Sequence, residues 1–276
     1  RKIDLDTQSK ADNKLGGIAL NADIKIGNGT LTSTSAWRHW KWDPLNGRDY
    51  LGIPVYTVSS GNSVHDQWSQ EFRDTGKIND KINGVVGVYG LWQDLRTDPV
   101  HIEEAGAALW RFQQNSDSPL WQTPGLFDGF GIKTKYGIKS TSLAVYTQID
   151  WNPLSKLHIL PGIRYNYDKK IANYDRQTYG GLETNDPALI ALKNGVYTNQ
   201  TFNVNADADN WSGQLSVQYK FTSNWNAYAT YSISYKPIGV NVGGLPTSNG
   251  QVMLDLAQVK PETVNHFEAG FKSNPT

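Results

Sequence analysis

Hydrophobic and polar residues alternate along much of the chain, most clearly from Trp211 to Phe221. One set of alternate positions there is mainly aromatic or aliphatic, whereas the intervening set consists of serine, glutamine and lysine. A period of two places successive side chains on opposite faces of a β-strand, whereas a helical period of about 3.6 would scatter the apolar positions around the axis. The segment therefore predicts a strand with one apolar and one polar face.

The same alternation recurs in segments of roughly ten residues, and it predicts about nine strands. These strands cover residues 16–26, 30–40, 64–73, 82–92, 143–151, 157–167, 211–221, 225–236 and 263–272. Pro161 lies inside the sixth strand. Because proline cannot donate a hydrogen bond to a neighbouring strand, a bulge or an interrupted pairing is expected there.

The connections between these strands alternate in length. Four are short, at residues 27–29, 74–81, 152–156 and 222–224, and four are long and predicted to lack structure, at residues 41–63, 93–139, 168–209 and 237–261. A compact soluble domain rarely carries even one structureless loop above about 15 residues. Outer-membrane barrels have short periplasmic turns and long extracellular loops, and their apolar band is about 25 Å high. The pattern therefore predicts an all-β fold, a transmembrane antiparallel up-and-down β-barrel.

Aromatic residues lie at both ends of the predicted strands, as in the two interfacial girdles of a membrane barrel. At the ends near the short turns these are Trp151, Phe221 and Trp225, and at the ends near the long loops they are Trp37, Trp40, Trp92, Tyr167, Trp211 and Tyr235. A soluble β-sandwich would hold its aromatic residues near the middle of its strands. We therefore predict that these side chains lie at the membrane interfaces.

Composition narrows the possible functions. The 276 residues include 26 Lys+Arg and 26 Asp+Glu, and this balance argues against nucleic-acid binding, which needs a basic surface. The chain has no cysteine, which excludes disulfides and cysteine-based zinc sites. No apolar run approaches the roughly 18 residues of a transmembrane helix. A mean hydropathy of −0.53 still fits a barrel, whose apolar residues alternate with polar ones.

Catalytic and metal-binding constellations are not evident in the sequence. His101, Glu103 and Glu104 lie close together, but no second histidine is nearby, and we interpret them as solvated polar residues. We therefore expect no enzymatic activity, no cofactor and no metal site.

Four short strings, in order along the chain, resemble the TonB-dependent outer-membrane receptors. They are SQEFR at 69–73, LHILPGIRY at 157–165, YS at 231–232 with YKP at 235–237, and KPETV at 260–264 running into FEAGFKS at 267–273. The resemblance extends from about residue 16 to residue 272, and each string lies on or beside a predicted strand.

The resemblance implies a barrel of about 22 strands around an N-terminal plug domain. Residues 1–276 would then be one partial barrel domain, a fragment without the plug, the TonB box or the C-terminal strands, and unstable alone. The implied function is active uptake of a scarce solute, with a ferric siderophore as the leading candidate, across the outer membrane of a Gram-negative bacterium. The implied partners are the TonB energy-coupling complex, acting through the plug, together with outer-membrane lipid and lipopolysaccharide, and no nucleic acid.

Two groups of residues are candidates for contact with the contents of such a barrel. Aromatic side chains of the predicted loop 93–139 can stack on a ligand, or they can pack the loop onto its neighbours or against the plug, and these alternatives remain open: Trp110, Phe112, Trp121, Phe127 and Phe130. Polar side chains predicted to face the lumen are interpreted as lining a wet interior and contacting the plug, in preference to direct contact with the solute: Gln148, Asp150, Arg164, Gln214, Gln218 and Lys220.

Two other functions remain possible at this point. A passive porin-type channel would share the strands but would have no plug domain upstream. A secreted soluble β-sheet binding protein would be absent from membranes and would show no heat-dependent gel shift.

Overall fold

The structure is a computed structural model, and it describes residue 5 and residues 7–113 and 117–274. Nine long antiparallel strands form one sheet in which each strand pairs with the next. They are β1 (Lys10–Ile26), β2 (Gly29–Asn46), β3 (Ser63–Asn79), β4 (Ile82–Thr97), β5 (Gly131–Leu154), β6 (Leu157–Tyr179), β7 (Gln200–Lys220), β8 (Trp225–Lys236) and β9 (Glu262–Ser273). All nine predicted strands are present, and the predicted fold class is confirmed.

The short connections lie at one end of the sheet, which we call the turn end, and the long connections lie at the other, the loop end. The largest difference among the short turns is at the predicted link 74–81, most of which is strand because β3 runs to Asn79. Pro161 keeps its place opposite Leu215 of β7. On the β5 side, Gly162 pairs with Gln148 and the next pair is Ile159 with Trp151, which fits the interrupted pairing expected at a proline.

The prediction of four structureless loops is wrong. Short strands Tyr56–Ser60 and His101–Ala105 pair with each other, and the second also pairs with β5. Helix α1 (Pro187–Val196) begins where the Asp186 side chain accepts a hydrogen bond from the Ala188 amide, with a proline at the first helical position. Four two-residue strands and one 3₁₀ turn, Leu254–Ala257, give the connection 237–261 its structure; the strands are Gly239–Val240, Thr247–Ser248, Gln251–Val252 and Gln258–Val259.

The long strands also run further into the predicted loops than expected, and β7 shows why. From Trp211 to Lys220 the apolar side chains lie on one face of β7, but from Gln200 to Asn210 they lie on the opposite face. The loop-end residues that are buried are Phe202, Val204 and Ala206. The alternation changes phase at Trp211. A prediction based on one continuous apolar face therefore starts this strand at Trp211, eleven residues after its true beginning at Gln200.

The sheet has two distinct faces. The apolar face has exposed aliphatic and aromatic side chains, in rows such as Phe72, Val88 and Val145. The polar face has the intervening residues, and near the loop end it is covered by two hydrophobic cores formed with the connections. In the described residues, β1 pairs only with β2 and β9 only with β8. No helix in the described ranges is long and apolar enough to cross a membrane.

Candidate functional site

The six polar residues predicted to face the lumen all lie on the polar face. Gln148 of β5 and Gln214 of β7 both pair with Gly162 of the intervening strand β6, and Arg164 lies opposite Ser212. Asp150 binds His158, whose Nδ1 lies 3.1 Å from the Asp150 carboxylate. Gln218 and Lys220 follow on the same alternate positions of β7: His158 lies opposite Gln218, and Asn226 lies opposite Lys220.

Tyr146 connects two strands that are not neighbours. Its hydroxyl on β5 donates a hydrogen bond of 2.8 Å to the Glu71 carboxylate on β3, so the ring crosses β4. Gly87 of β4 lies opposite Tyr146, and a Cβ at that position would be 2.5 Å from the tyrosine Cζ and Oη. The hydrogen bond between Tyr146 and Glu71 therefore requires glycine, which has no side chain, at position 87.

Arg164 lies beside this contact. Its guanidinium carbon is 5.4 Å from the ring centre of Tyr89 and 5.5 Å from that of Tyr146, within the range of a cation–π interaction. Its Nε donates to the Asn166 Oδ1 over 2.7 Å. Two aromatic rings and one amide thus fix the position of the arginine.

Further toward the loop end, the Tyr235 hydroxyl donates to Asp168 over 2.9 Å, and the Lys170 amine donates to the Ser140 hydroxyl over 3.3 Å. Alternation along β8 predicts Tyr235 on the apolar face, at the outer interface. It instead reaches a polar-face residue, because beyond Ile233 the strand β8 no longer pairs with β7 and is held in the sheet only by β9.

The connection 237–261 covers the polar face above this region. Its Ile238, Leu245 and Ala257 side chains are buried against Phe202 and Val204 of β7. The Gln200 side chain holds the connection in place, because its Nε2 donates to the Leu245 carbonyl and its Oε1 accepts from the Leu245 amide, each over 2.8 Å. The loop is therefore fixed over the polar face by apolar burial and by two backbone contacts.

The three other long connections share a second core, and we call the assembly of residues 47–62, 98–113, 117–130 and 180–199 the cap. Its centre contains Val55, Leu109, Phe127, Phe130 and Leu189. The five aromatic candidates of the predicted loop 93–139 divide here into two groups. Phe127 and Phe130 are buried, and Trp121 stacks on Phe127 with ring centres 5.3 Å apart. Trp110 is half-buried, whereas Phe112 is 59% exposed.

Charged residues connect parts of the cap. Arg48 and His101 both contact the Glu103 carboxylate, the histidine Nε2 at 3.3 Å. Glu104 accepts a hydrogen bond of 3.0 Å from Tyr179. Across the described part of the chain, no group of three or more His, Cys, Asp or Glu side chains is arranged to hold a metal ion.

The cap is expected to loosen in acid because of Glu103. The hydrogen bond from His101 and the positive charge of Arg48 hold the pKa of Glu103 below its ordinary value of 4.5, although burial opposes this shift. A carboxyl with a lowered pKa stabilises the folded state above its ordinary pKa, and this contribution disappears as the pH falls through the lower folded-state pKa. Proteolysis of the loops between neutral and strongly acidic pH measures the effect. Glu103→Gln should weaken this dependence, whereas Glu183→Gln, at an exposed position of the cap, should leave it unchanged.

Most of the predicted interface tryptophans lie on the apolar face. Trp37 and Trp92 form one row with Trp68, a further tryptophan that was not among the predicted interface residues. Trp211 packs on Tyr165, and Trp151 and Trp225 are exposed near the turn end. Trp40 lies instead on the polar face, where it stacks on Trp42 and donates to Asn13, because its position has the opposite parity to Trp37.

Known proteins resemble this chain in sequence and in fold. The profile of the family described as "TonB dependent receptor-like, beta-barrel" matches residues 3–276. The pesticin receptor of Yersinia enterocolitica is 26% identical over 134 residues, which is 47% of this chain and 16% of that receptor. The match to the pesticin receptor of Yersinia pestis has the same extent and identity.

Solved structures share the fold. The ferric yersiniabactin uptake receptor of Yersinia pestis matches with a TM-score of 0.66 at 16% identity, over 96% of this chain and 34% of that one. The siderophore receptor PiuA of Acinetobacter baumannii matches with a TM-score of 0.59 at 17% identity, over 97% of this chain and 38% of that one. The chain thus spans little more than a third of these receptors. Because the family profile covers nearly every residue, the chain belongs to the TonB-dependent receptor-like β-barrel family, whose members are outer-membrane transport receptors.

Proposed function

We propose that this chain forms part of the barrel wall of a receptor for active, TonB-energised uptake of a ferric siderophore. The observation that carries the proposal is the covering of the polar face at the loop end. There the cap and the connection 237–261 are folded over a wall on which Tyr146 bonds to Glu71 and Tyr235 bonds to Asp168. A passive channel needs an open polar route, whereas a receptor needs a preformed surface that selects its solute.

In the proposed orientation, the polar face lines the interior of the barrel and the apolar face meets lipid and lipopolysaccharide. The turn end lies in the periplasm, and the cap lies outside the cell. Energy coupling would act through a plug domain outside residues 1–276. Trp110 and Phe112 are the aromatic candidates left for solute contact, because Phe127 and Phe130 are buried in the core of the cap and Trp121 packs against that core. The two structural neighbours are a ferric yersiniabactin uptake receptor and a siderophore receptor, and this supports a ferric siderophore as the solute.

Uptake of radioactive iron by a deletion strain tests this proposal. The strain should lose accumulation of at least one ferric siderophore, and the natural full-length gene should restore it. Inactivation of TonB in the restored strain should abolish uptake again. Uptake that persists without TonB would identify a passive channel, and unchanged uptake of every ferric complex in the deletion strain would contradict the siderophore assignment.

A further inference from the structure

Two recesses in the polar face meet at Arg164. The recess toward the loop end has a volume of about 310 Å³ and is lined in part by Asn166, Asp168, Lys170 and Tyr235. The recess toward the turn end has a volume of about 430 Å³ and is lined in part by Gln148, Gln214 and Ser232. Arg164 borders both recesses, and a group bound in either one would therefore lie beside its positive charge.

The charge of Arg164 is not neutralised within the described residues. No described carboxylate approaches its nitrogens within 4.0 Å, whereas Arg73 and Arg96 each have such a partner. Only its Nε donates a hydrogen bond to a described residue, so the two terminal nitrogens remain available. The fork formed by these two nitrogens matches the two oxygens of a carboxylate, and the flanking rings of Tyr89 and Tyr146 fix its plane.

Asn166 provides an independent sign of an unfilled site. This residue is 3% exposed, and its Nδ2 has no hydrogen-bond partner among the described residues although its Oδ1 accepts from Arg164. A buried donor without an acceptor is unfavourable and rare in folded proteins. The Lys170 amine, with a single 3.3 Å bond to Ser140, adds a second positive charge. Asp168 is the acidic group of the recess, and it already accepts from Tyr235.

We propose that the recess at Arg164 binds a carboxylate, held by the two terminal nitrogens of the arginine with Asn166 and Lys170 as further donors. The proposal rests on the proposed function only in taking the polar face as the barrel interior. The carboxylate has two possible sources. One is the transported solute, and the other is an acidic side chain of a domain of the same protein that fills the barrel.

Structures of the intact, full-length protein distinguish these sources. One structure is determined without additive and one with sodium succinate as the probe. We expect a pair of oxygens about 3 Å from the terminal nitrogens of Arg164. An acidic residue of the same protein there in both structures identifies the internal source. Succinate in the second structure alone identifies a site for a solute carboxylate. Water, or an adventitious ion only, at Arg164 in both structures would overturn the proposal.

Substitution at Arg164 provides the second measurement. If succinate occupies the site, Arg164→Gln should weaken its binding, measured by ligand-observed NMR, by about tenfold or more. Lys25→Gln removes a positive charge from the polar face of β1 at the turn end and should leave binding within about twofold. If an internal carboxylate occupies the site, Arg164→Gln should displace it in the structure and Lys25→Gln should not. Absence of succinate binding in solution shows binding at crystal concentration only, and equal behaviour of the two variants shows that Arg164 does not hold the carboxylate; either result overturns the proposal. These measurements use purified protein, so their failure is distinct from a failure of TonB-dependent uptake.

Discussion

Replacement of Phe130 by alanine is expected to open the cap. The Phe130 side chain is 3% exposed, its ring lies 5.7 Å from that of Tyr197, and the Lys193 amine lies 4.6 Å from its centre. Removal of a buried phenylalanine ring costs about 3–5 kcal/mol, because burial is lost and a cavity remains. Since Phe130 joins the connections 98–130 and 180–199, its loss should expose both to protease in intact cells while the membrane-embedded strands stay folded.

Phe112→Ala is the matched control for this prediction. It removes the same ring from the same connection, but the side chain is 59% exposed and contributes little burial. Its cleavage rate should therefore equal that of the unchanged protein. Equal cleavage of both variants would contradict the structure of the cap, because it would mean that Phe130 contributes no more than an exposed ring.

Gly87→Val is expected to detach Tyr146 from Glu71 and to destabilise the wall. A valine Cβ would overlap the Tyr146 ring at 2.5 Å, and over-packing of this kind costs about 1–3 kcal/mol before the lost hydrogen bond is counted. The displaced ring would also leave one side of the Arg164 guanidinium uncovered. The temperature at which the intact protein loses its folded mobility in gel electrophoresis measures the effect, and it should fall.

The control for Gly87→Val is Gly16→Val on β1, where an added Cβ meets no atom within 4 Å. Both changes convert a strand glycine to a residue with high β-propensity, which isolates the effect of the Tyr146 ring. A drop of equal size for both variants would show that the ring does not cross β4 at Gly87.

The strands were predictable from sequence because period-two alternation depends only on which residues face lipid. It identified all nine long strands of the sheet, and it placed Arg164 and Gln214 on the same face. The strand extensions were not predictable from the same pattern. Beyond Trp211 the outward residues of β7 are Asp209, Asp207 and Asn205, and the apolar residues turn inward to meet the connection 237–261. A rule based on contact with lipid does not describe strands that contact a loop.

The contacts of the candidate site were beyond sequence reasoning for a different reason. The bond from Tyr146 to Glu71 joins residues 75 positions apart, and it exists only because Gly87 leaves room on the intervening strand. Likewise, the aromatic residues of the connection 98–130 look alike in sequence, although Phe130 is buried and Phe112 is not. Parity could have assigned Trp40 correctly, since Trp37 and Trp40 cannot both face the same side of one regular strand.

The change of face at Trp211 determines how far the cap stands from the membrane. The eleven residues of β7 from Gln200 to Asn210 extend roughly 36 Å along the strand, or about 25 Å in height at a tilt near 45°. In the proposed orientation, neighbouring strands with polar outward residues hold the cap at that height above the lipid headgroups. Antibodies and other large particles would therefore contact the cap before they reach the rest of the barrel wall. We expect the epitopes that this protein presents at the cell surface to lie in the cap.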